Sequence, residues 1–348
     1  MERILVRAAN WIGDVVMSLP ALDAVKRLFP DARVTILAKP GVAPIFENNP
    51  SVADIFIYDS VGAHKGLNGR MRLAGELRAR EFDCAVLFQN AFEAALIAFL
   101  AGIPRRVGYA RDLRSVFLTD PVEVTAGIKE KHQVEYYLNI IKELGGAEVK
   151  DPTPLITLTK AEEEKAEITL TTLGIEKGRA IIGVSPGASY GPAKRWAPKN
   201  FSFVLNAVAT SLNATVLIFG SDEDKEIAGE VSKGLTVEHH DLAGKTALRE
   251  FMALARRLDL FLTNDSGPMH IGAALGTPTL AIFGSTSAEL TGPLGARVSV
   301  VSEPLDCAPC FERVCPDRDY ECLTSIDPKR VLEVALALLN KEKKEVLL

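Results

Sequence analysis

Residues 260–283 read LFLTNDSGPMHIGAALGTPTLAIF. The apolar run at 260–263 predicts a strand, and the small and polar residues after it predict a turn. Pro268 suits the first turn of a helix, which extends to Leu275, and a second apolar run at 279–283 predicts the next strand. A strand, a helix and a strand in this order are typical of parallel strands, which need a long crossover connection.

The same alternation extends in both directions from this stretch. Further strands are predicted at 4–6, 33–38, 52–58, 84–88, 107–109, 180–184 and 214–219. Helices are predicted between them, at 19–29, 71–81, 91–100, 133–144, 201–212, 223–235, 248–258 and 328–341. The Asp-Pro-Thr-Pro segment at 151–154 is the best candidate for a linker. The sequence therefore predicts an α/β protein of two parallel-sheet domains, at 1–155 and 156–325, followed by a C-terminal helix within 326–348.

Composition excludes several classes of protein. The 348 residues are 47% hydrophobic and 24% charged, with a formal net charge of -5. This composition excludes an intrinsically disordered chain and a generally basic nucleic-acid-binding protein. The most apolar stretch, at 94–103, is about half as long as a membrane-spanning helix. Since the N-terminus begins as a strand and does not resemble a signal peptide, we expect a cytoplasmic protein.

Two common nucleotide-binding motifs do not occur in the sequence. The first strand-to-helix turn contains Gly13 alone, without the spaced glycines of a dinucleotide fingerprint, and no Gly-rich P-loop is found. These observations argue against a nicotinamide dehydrogenase and against a P-loop NTPase.

Polar residues follow the first strand of each predicted domain. Asp14 is either the N-cap of the next helix or a carboxylate that acts as a general base. In the second domain, small residues at 185–193 allow a ligand to approach the backbone, and Lys194 and Arg195 supply positive charge. This loop suits a phosphate group, although a surface loop with solvated charges is the alternative.

Two more loops of the second domain carry acidic or small residues. The acidic residues at 222–224 either bind ribose hydroxyls or cap the following helix. In the loop after residue 263, Asp265 could hold sugar hydroxyls, and the helix that follows Ser266 and Gly267 offers free N–H groups to an anion. His270 lies one turn further on, as a ligand or as a packed imidazole.

Four stretches together resemble a known family. They are Asn10-Trp-Ile-Gly-Asp14, residues 90–108, Pro186-Gly-Ala-Ser-Tyr-Gly-Pro-Ala-Lys-Arg-Trp196, and Asn264-Asp-Ser-Gly-Pro-Met-His270. In this order they resemble the ADP-heptose:lipopolysaccharide heptosyltransferases of glycosyltransferase family 9, and most of all the members that add the second heptose. The resemblance implies a GT-B fold, in which two Rossmann-like domains face each other across a cleft. It also implies an acceptor site in the N-terminal domain, a donor site in the C-terminal domain, and a C-terminal helix that packs back on the N-terminal domain.

The resemblance further implies an inverting transfer of L-glycero-D-manno-heptose from ADP-heptose to the first heptose of the lipopolysaccharide inner core. Asp14 would be the general base, and Lys194 with the helix N-terminus at Ser266 and Gly267 would stabilise the leaving ADP. The implied donor-binding residues are Gly187, Ser189, Lys194, Glu223, Thr246, Asp265, Ser266, Gly267 and His270. The implied acceptor-binding residues are Asn10, Trp11, Gly13, Asn90, Arg105, Arg106 and Arg111.

The reaction implied by the resemblance requires no cofactor and no metal ion. Its acceptor is linked to lipid, so we expect peripheral contact with the cytoplasmic face of the inner membrane. Three alternatives stay open: transfer of the first heptose or another inner-core sugar, a nucleotide-sugar epimerase or hydrolase of the same fold, and a binding protein without activity.

Four cysteines near the C-terminus are not needed for this chemistry. They are Cys307, Cys310, Cys315 and Cys322. Only the first two have the C-x2-C spacing that is usual in zinc sites. A structural zinc site, disulfide bonds and free thiols all stay open.

Overall fold

The computed structural model describes residues 1–345, and for 341–345 it describes the backbone alone. Two compact units make up the chain, one formed by Met1–Thr157 and the other beginning at Leu158. This division lies two residues beyond the predicted domain boundary at 155.

The first unit is a six-stranded parallel sheet with helices. Its strands are β1 (Arg3–Arg7), β2 (Arg33–Ala38), β3 (Asp54–Ile57), β4 (Cys84–Leu87), β5 (Arg105–Tyr109) and β6 (Asp120–Val122), in the order β3-β2-β1-β4-β5-β6. Its helices are α1 (Ile12–Leu28), α2 (Gly66–Arg78), α3 (Phe92–Leu100), α4 (Ala126–Lys129) and α5 (Gln133–Glu143). The central strand β4 is apolar and buried throughout, and β1 is buried from Ile4 onward around an Ile-Leu-Val run, as expected for strands covered on both faces.

The second unit repeats this architecture. Its strands are β7 (Ile181–Ser185), β8 (Thr215–Ile218), β9 (His239–Asp241), β10 (Leu260–Asn264), β11 (Thr279–Ile282) and β12 (Val298–Val301), in the order β12-β11-β10-β7-β8-β9. Its helices are α6 (Lys160–Thr172), α7 (Pro198–Leu212), α8 (Lys225–Gly234), α9 (Leu248–Ala255), α10 (Gly267–Ala274), α11 (Ala288–Thr291), α12 (Glu321–Thr324) and α13 (Pro328–Glu345). Both units therefore have the strand order of the Rossmann fold, which confirms the predicted class.

Strand order reverses at one point in each sheet. In the first unit β1 lies between β2 and β4, and Arg7 pairs with Leu87 where both strands end. In the second unit β7 lies between β8 and β10, and Ser185 pairs with Thr263 at the same edge. In open α/β sheets, ligands bind beyond the carboxyl ends of the strands at such points. The loops that follow β1, β4, β7 and β10 are therefore the candidate ligand-binding loops of the two units.

Helix α1 begins earlier than predicted. We expected a helix from Leu19, but it starts at Ile12 and contains Pro20. Its N-cap is Trp11, so Asp14 is the third residue of the helix, and the interpretation of Asp14 as the N-cap is wrong.

The C-terminal helix buries its apolar face in a different unit from the one expected. We expected α13 to pack on the N-terminal domain. Instead Val331, Ala335 and Leu338 lie in the core of the second unit, where α13 packs against α7. These side chains complete a layer over the second sheet, which explains why the helix stays with its own unit. Residues 346–348, at the end of the predicted segment 326–348, lie outside the described residues.

Candidate active site

Asp14 projects from the first turn of α1, directly beyond the carboxyl end of β1. The positive end of a helix dipole favours a charged carboxylate at this position. The side chain is partly exposed, and Oδ1 accepts a hydrogen bond from the hydroxyl of Tyr137 at 3.1 Å. This placement suits a carboxylate that receives a proton from a bound hydroxyl group.

Tyr137 is the partner that the sequence did not reveal. It lies on α5, which packs against α1, and its side chain is 3% exposed. Burial, together with the nearby Asp14 charge, raises the pKa of Tyr137 well above its ordinary value. The phenol therefore stays protonated and always donates to Asp14, which fixes the orientation of the carboxylate. Tyr137 is 123 residues further along the chain than Asp14, so no local pattern could predict this contact.

Three of the predicted acceptor residues lie in the loop between β1 and α1 or in the first turn of α1. Trp11 is 62% exposed, and a large exposed ring of this kind suits stacking on a sugar. Asn10 accepts a hydrogen bond from the buried Arg7 at 2.9 Å. Burial lowers the pKa of Arg7 to about 10. Gly13 is the second residue of α1, so it belongs to the helix.

Asn90 and Arg111 follow β4 and β5 at the same edge. The Asn90 amide donates to Tyr136 at 3.1 Å and accepts from Arg114 at 3.1 Å. A hydrogen bond to Tyr136 raises the pKa of Arg111, whose exposed side chain also pairs with Asp112 at 3.7 Å. Arg114 is fully buried and donates to the carbonyl of Tyr109 at 2.7 Å, so it holds the loop together. Arg111 is the cation in this group that remains accessible to a ligand.

Arg105 and Arg106 do not belong to this site. They are the first two residues of β5, at the amino edge of the sheet, whereas the site lies beyond the carboxyl edge. Arg105 forms a two-pronged ion pair with Asp120 at 2.8 and 3.0 Å. Arg106 donates to the carbonyl of Phe117 at 2.5 Å and to that of Ile103. The structure therefore corrects the acceptor assignment of both arginines, because they stabilise the opposite edge of the sheet.

In the second unit, Lys194 and Asp265 form an ion pair beyond β7 and β10. Lys194 Nζ lies 2.6 Å from Asp265 Oδ2, and their side chains are 13% and 4% exposed. Thr286, which follows β11, donates its hydroxyl to the same carboxylate oxygen. The two charges meet at the point where strand order reverses. Thr286 is a site residue that the sequence gave no reason to choose.

Asn264 joins the two loops that carry this pair. Its amide nitrogen donates to the carbonyl of Pro186 at 2.6 Å, and its amide oxygen accepts from the backbone N–H of Trp196 at 3.0 Å. Asn264 is fully buried, and so is Trp196. The loop at 186–196 is therefore fixed at both ends.

The other predicted donor residues lie around the same edge. A Cβ on Gly187 would overlap the carboxylate of Asp224, so the acidic side chain that approaches the loop after β7 is Asp224. Glu223, the predicted ribose ligand, is exposed next to it, and Ser189 is exposed as well. Thr246 is partly exposed in the loop after β9, which is held to the loop after β8 by the Gly244 N–H and the Gly220 carbonyl at 2.9 Å.

Helix α10 begins at Gly267 with Ser266 as its N-cap. Within the described chain, the Ser266 side chain makes no capping hydrogen bond, and the first turn of α10 has no acidic residue. This helix N-terminus therefore offers backbone N–H groups and a positive dipole to a ligand anion. His270 is 5% exposed and lies inside the helix packing.

The cysteine-rich segment, residues 307–323, packs against the loop that carries Lys194. The Ala193 N–H donates to the Arg313 carbonyl at 3.2 Å, and the Phe311 N–H donates to the Ser285 carbonyl at 2.7 Å. All four cysteines of the segment are free thiols. Within residues 1–345, no three His, Cys, Asp or Glu side chains are grouped so that they could hold a metal ion. Nor does this part of the chain contain a helix long and apolar enough to cross a membrane.

The chain thus contains two Rossmann-like units, each with polar groups at its switch point, the place where strand order reverses. The first unit has a carboxylate there, and the second has a lysine and a helix N-terminus. Such a pair of units is typical of glycosyltransferases that use nucleotide-linked sugars. A family model for glycosyltransferase family 9 (heptosyltransferase) matches residues 70–321. The chain belongs to this family.

Individual relatives agree with this assignment over nearly the whole chain. Lipopolysaccharide heptosyltransferase 2 of Escherichia coli K12 is 30% identical over 98% of this chain and 99% of its own. Lipooligosaccharide heptosyltransferase 2 of Campylobacter jejuni is 28% identical over 97% of this chain and 98% of its own. The solved structure of E. coli ADP-heptose lps heptosyltransferase II has a TM-score of 0.83 at 27% identity and covers 99% of this chain and 100% of that chain.

Proposed function

We propose that this enzyme transfers a heptosyl group from ADP-heptose to the first heptose of the lipopolysaccharide inner core. The observation that carries the proposal is the similarity to heptosyltransferase 2 relatives over nearly the full length of both chains. The side chains at the two switch points supply the chemical groups that this reaction needs. The first unit holds a general base, and the second holds a cation and a helix N-terminus for the leaving group.

The first chemical requirement is removal of a proton from the acceptor. The attacking hydroxyl oxygen forms a bond to the anomeric carbon while its proton passes to the carboxylate of Asp14. Because Tyr137 donates to Oδ1, the carboxylate keeps one orientation for receiving the proton. Trp11 and Arg111 would hold the acceptor, the first by stacking and the second by pairing with an acidic group.

The second requirement is stabilisation of ADP as the bond from the anomeric carbon to the phosphate oxygen breaks. Direct displacement, with the base and the leaving group on opposite faces of the sugar, inverts the anomeric centre. The negative charge that develops on the diphosphate would be stabilised by Lys194 and by the N–H groups at the start of α10. Asp265, held by Thr286, would accept hydrogen bonds from hydroxyls of the donor sugar.

We also propose that the reaction needs no metal ion. Lys194 and the N–H groups at the start of α10 would meet the diphosphate directly, so activity should survive dialysis against EDTA. A loss of activity that Mg²⁺ or Mn²⁺ restores would contradict this part of the proposal.

A lipid-linked acceptor places the enzyme at the cytoplasmic face of the inner membrane, where it would bind peripherally. Flotation with vesicles of phosphatidylethanolamine and phosphatidylglycerol that contain the acceptor tests this association. We expect the protein to float with those vesicles. Recovery of all the protein in the bottom fraction of the gradient would contradict peripheral association.

The central experiment incubates the purified protein with ADP-heptose and defined acceptors, with products measured by mass spectrometry. We expect one heptose to be added to Kdo-lipid A that already carries one heptose. Turnover with Kdo-lipid A lacking heptose, and not with the longer acceptor, would make the enzyme a transferase for the first heptose. Conversion of ADP-heptose without any acceptor would instead indicate an epimerase or a hydrolase.

A further inference from the structure

Lys194 adds little net positive charge to the proposed donor site. Its ammonium group is already paired with Asp265 at 2.6 Å, and this carboxylate neutralises it. Arg195, the other cation predicted in the loop, donates through Nε to the carbonyl of Ala188 at 3.1 Å. A diphosphate carries more than one negative charge, so the ion pair alone balances it poorly.

Arg313 is a second cation beside the same loop. Its guanidinium lies 5.1 Å from the ring centre of Tyr190, and Lys194 Nζ lies 4.7 Å from the same centre. The two cations are therefore held within roughly 10 Å of each other, which is about one Debye length at 0.1 M salt. Arg313 is exposed and forms no ion pair with any carboxylate in the described part of the chain.

The backbone of the cysteine-rich segment fixes where this guanidinium lies. The Arg313 carbonyl accepts from the Ala193 N–H, one residue before Lys194. The Tyr190 hydroxyl donates to the carbonyl of Phe311. A Cβ on Gly191 would lie 2.6 Å from the Arg313 carbonyl oxygen, so glycine is required for this close approach. The segment is thus held to the loop through its own main-chain carbonyl oxygens, and the Arg313 guanidinium takes no part in these hydrogen bonds.

We propose that Arg313 is a donor-binding residue that pairs with the diphosphate of the nucleotide sugar and stabilises it as it leaves. Lys194 and Arg313, both within contact of the Tyr190 ring, would then share the two phosphate groups. The cysteine-rich segment would serve to carry this arginine to the donor site. This inference rests on the proposed function, because it takes the ligand of the second unit to be a nucleoside diphosphate.

The test compares ADP and AMP binding by calorimetry in the full-length wild type, Arg313→Ala and Arg313→Lys. A charge-assisted contact to the second phosphate predicts about tenfold weaker ADP binding by Arg313→Ala. AMP affinity should change by less than about threefold, since AMP lacks that phosphate. Arg313→Lys should recover part of the ADP affinity, and kcat with ADP-heptose should fall together with ADP affinity.

Arg318→Ala is the matched control, since Arg318 lies in the same segment but pairs with Glu321 at 3.8 Å. It should bind ADP and AMP as the wild type does. Unchanged ADP affinity in Arg313→Ala would overturn the inference, and so would an equal loss for ADP and AMP, which indicates general damage to the loop. A wild type that transfers no heptose and does not bind ADP would instead overturn the proposed function itself.

Discussion

Asp265→Asn separates the electrostatic role of the ion pair from its catalytic role. The substitution removes the negative charge but keeps the shape of the side chain and an oxygen that can accept from Thr286. Lys194 then becomes a nearly buried cation that has lost its counter-ion, since its side chain is only 13% exposed. We expect the second unit to be less stable, ADP to bind more tightly, and transfer to slow down.

The size of the effect follows from burial. Breaking a buried ion pair by removing one partner costs about 3 kcal/mol at the lower end of measured values. For a unit of this size, that corresponds to a decrease in Tm of roughly 6–12 °C. ADP would supply the missing negative charge, so it should recover more of the Tm in the variant than it adds to the wild type.

Scanning calorimetry with and without ADP measures the loss of stability and the tighter binding of ADP. A transfer assay measures the slower turnover. The control is Glu303→Gln, which breaks an ion pair with Arg330 at 2.8 Å whose side chains are 31% and 48% exposed. That change should cost less than about 1 kcal/mol, because exposed pairs contribute little. The reasoning is refuted if Asp265→Asn melts with the wild type, or if it binds ADP more weakly.

Three further variants test other parts of the site and fold. Asp14→Asn should lower kcat by about a thousandfold with unchanged ADP affinity, since a general base contributes this much, and near-normal turnover would exclude it as the base. Lys194→Met should weaken ADP binding about tenfold in calorimetry, and equal affinity would remove it from the phosphate site. Pairing with Arg249 lowers the pKa of Glu162 to about 2, below its ordinary value of 4.5. This pair therefore adds stability above pH 4.5 that is lost as the pH falls towards 2. Urea unfolding of Glu162→Gln should show a deficit of about 2–3 kcal/mol at pH 7 that shrinks below pH 4.5, and a deficit independent of pH would contradict the assignment.

The central part of each sheet and the edge strand β3 could be predicted from the sequence, whereas the other edge strands could not. Strands β1, β4, β7 and β10 are buried on both faces and read as apolar runs. The strands β6, β9 and β12 are three or four residues long and contain polar residues, because they lie at or near an edge of their sheet. Helix α6 was also missed, although Thr159 and Glu162 form a capping box that local sequence reasoning can detect.

The place of a candidate residue in the fold could be predicted where it lies in the loop or first helical turn after a strand. Asp14, Lys194 and Asp265 lie there, and parallel strands bring such residues to the carboxyl edge of their sheet. Arg105 was predicted to bind the acceptor, but it is the first residue of β5. By the same rule it lies at the opposite edge of the sheet. Tyr137, Thr286 and Arg313 reach the two sites through contacts between distant parts of the chain, and no local pattern announces such contacts.

The two units use one structural device in opposite ways. In the first unit, the chain supplies its own negative charge, Asp14, to the N-terminal turn of α1 beyond the switch-point strand. In the second unit, the first turn of α10 contains no acidic residue within the described chain, and Asp265 just before it is paired with Lys194. A helix N-terminus that already holds a carboxylate keeps that carboxylate ionised for proton removal, whereas one without a carboxylate attracts the anion of a ligand. Under the proposed function, the same Rossmann-like topology would therefore supply a base in one unit and a leaving-group site in the other, with an acidic residue in the first helical turn as the difference.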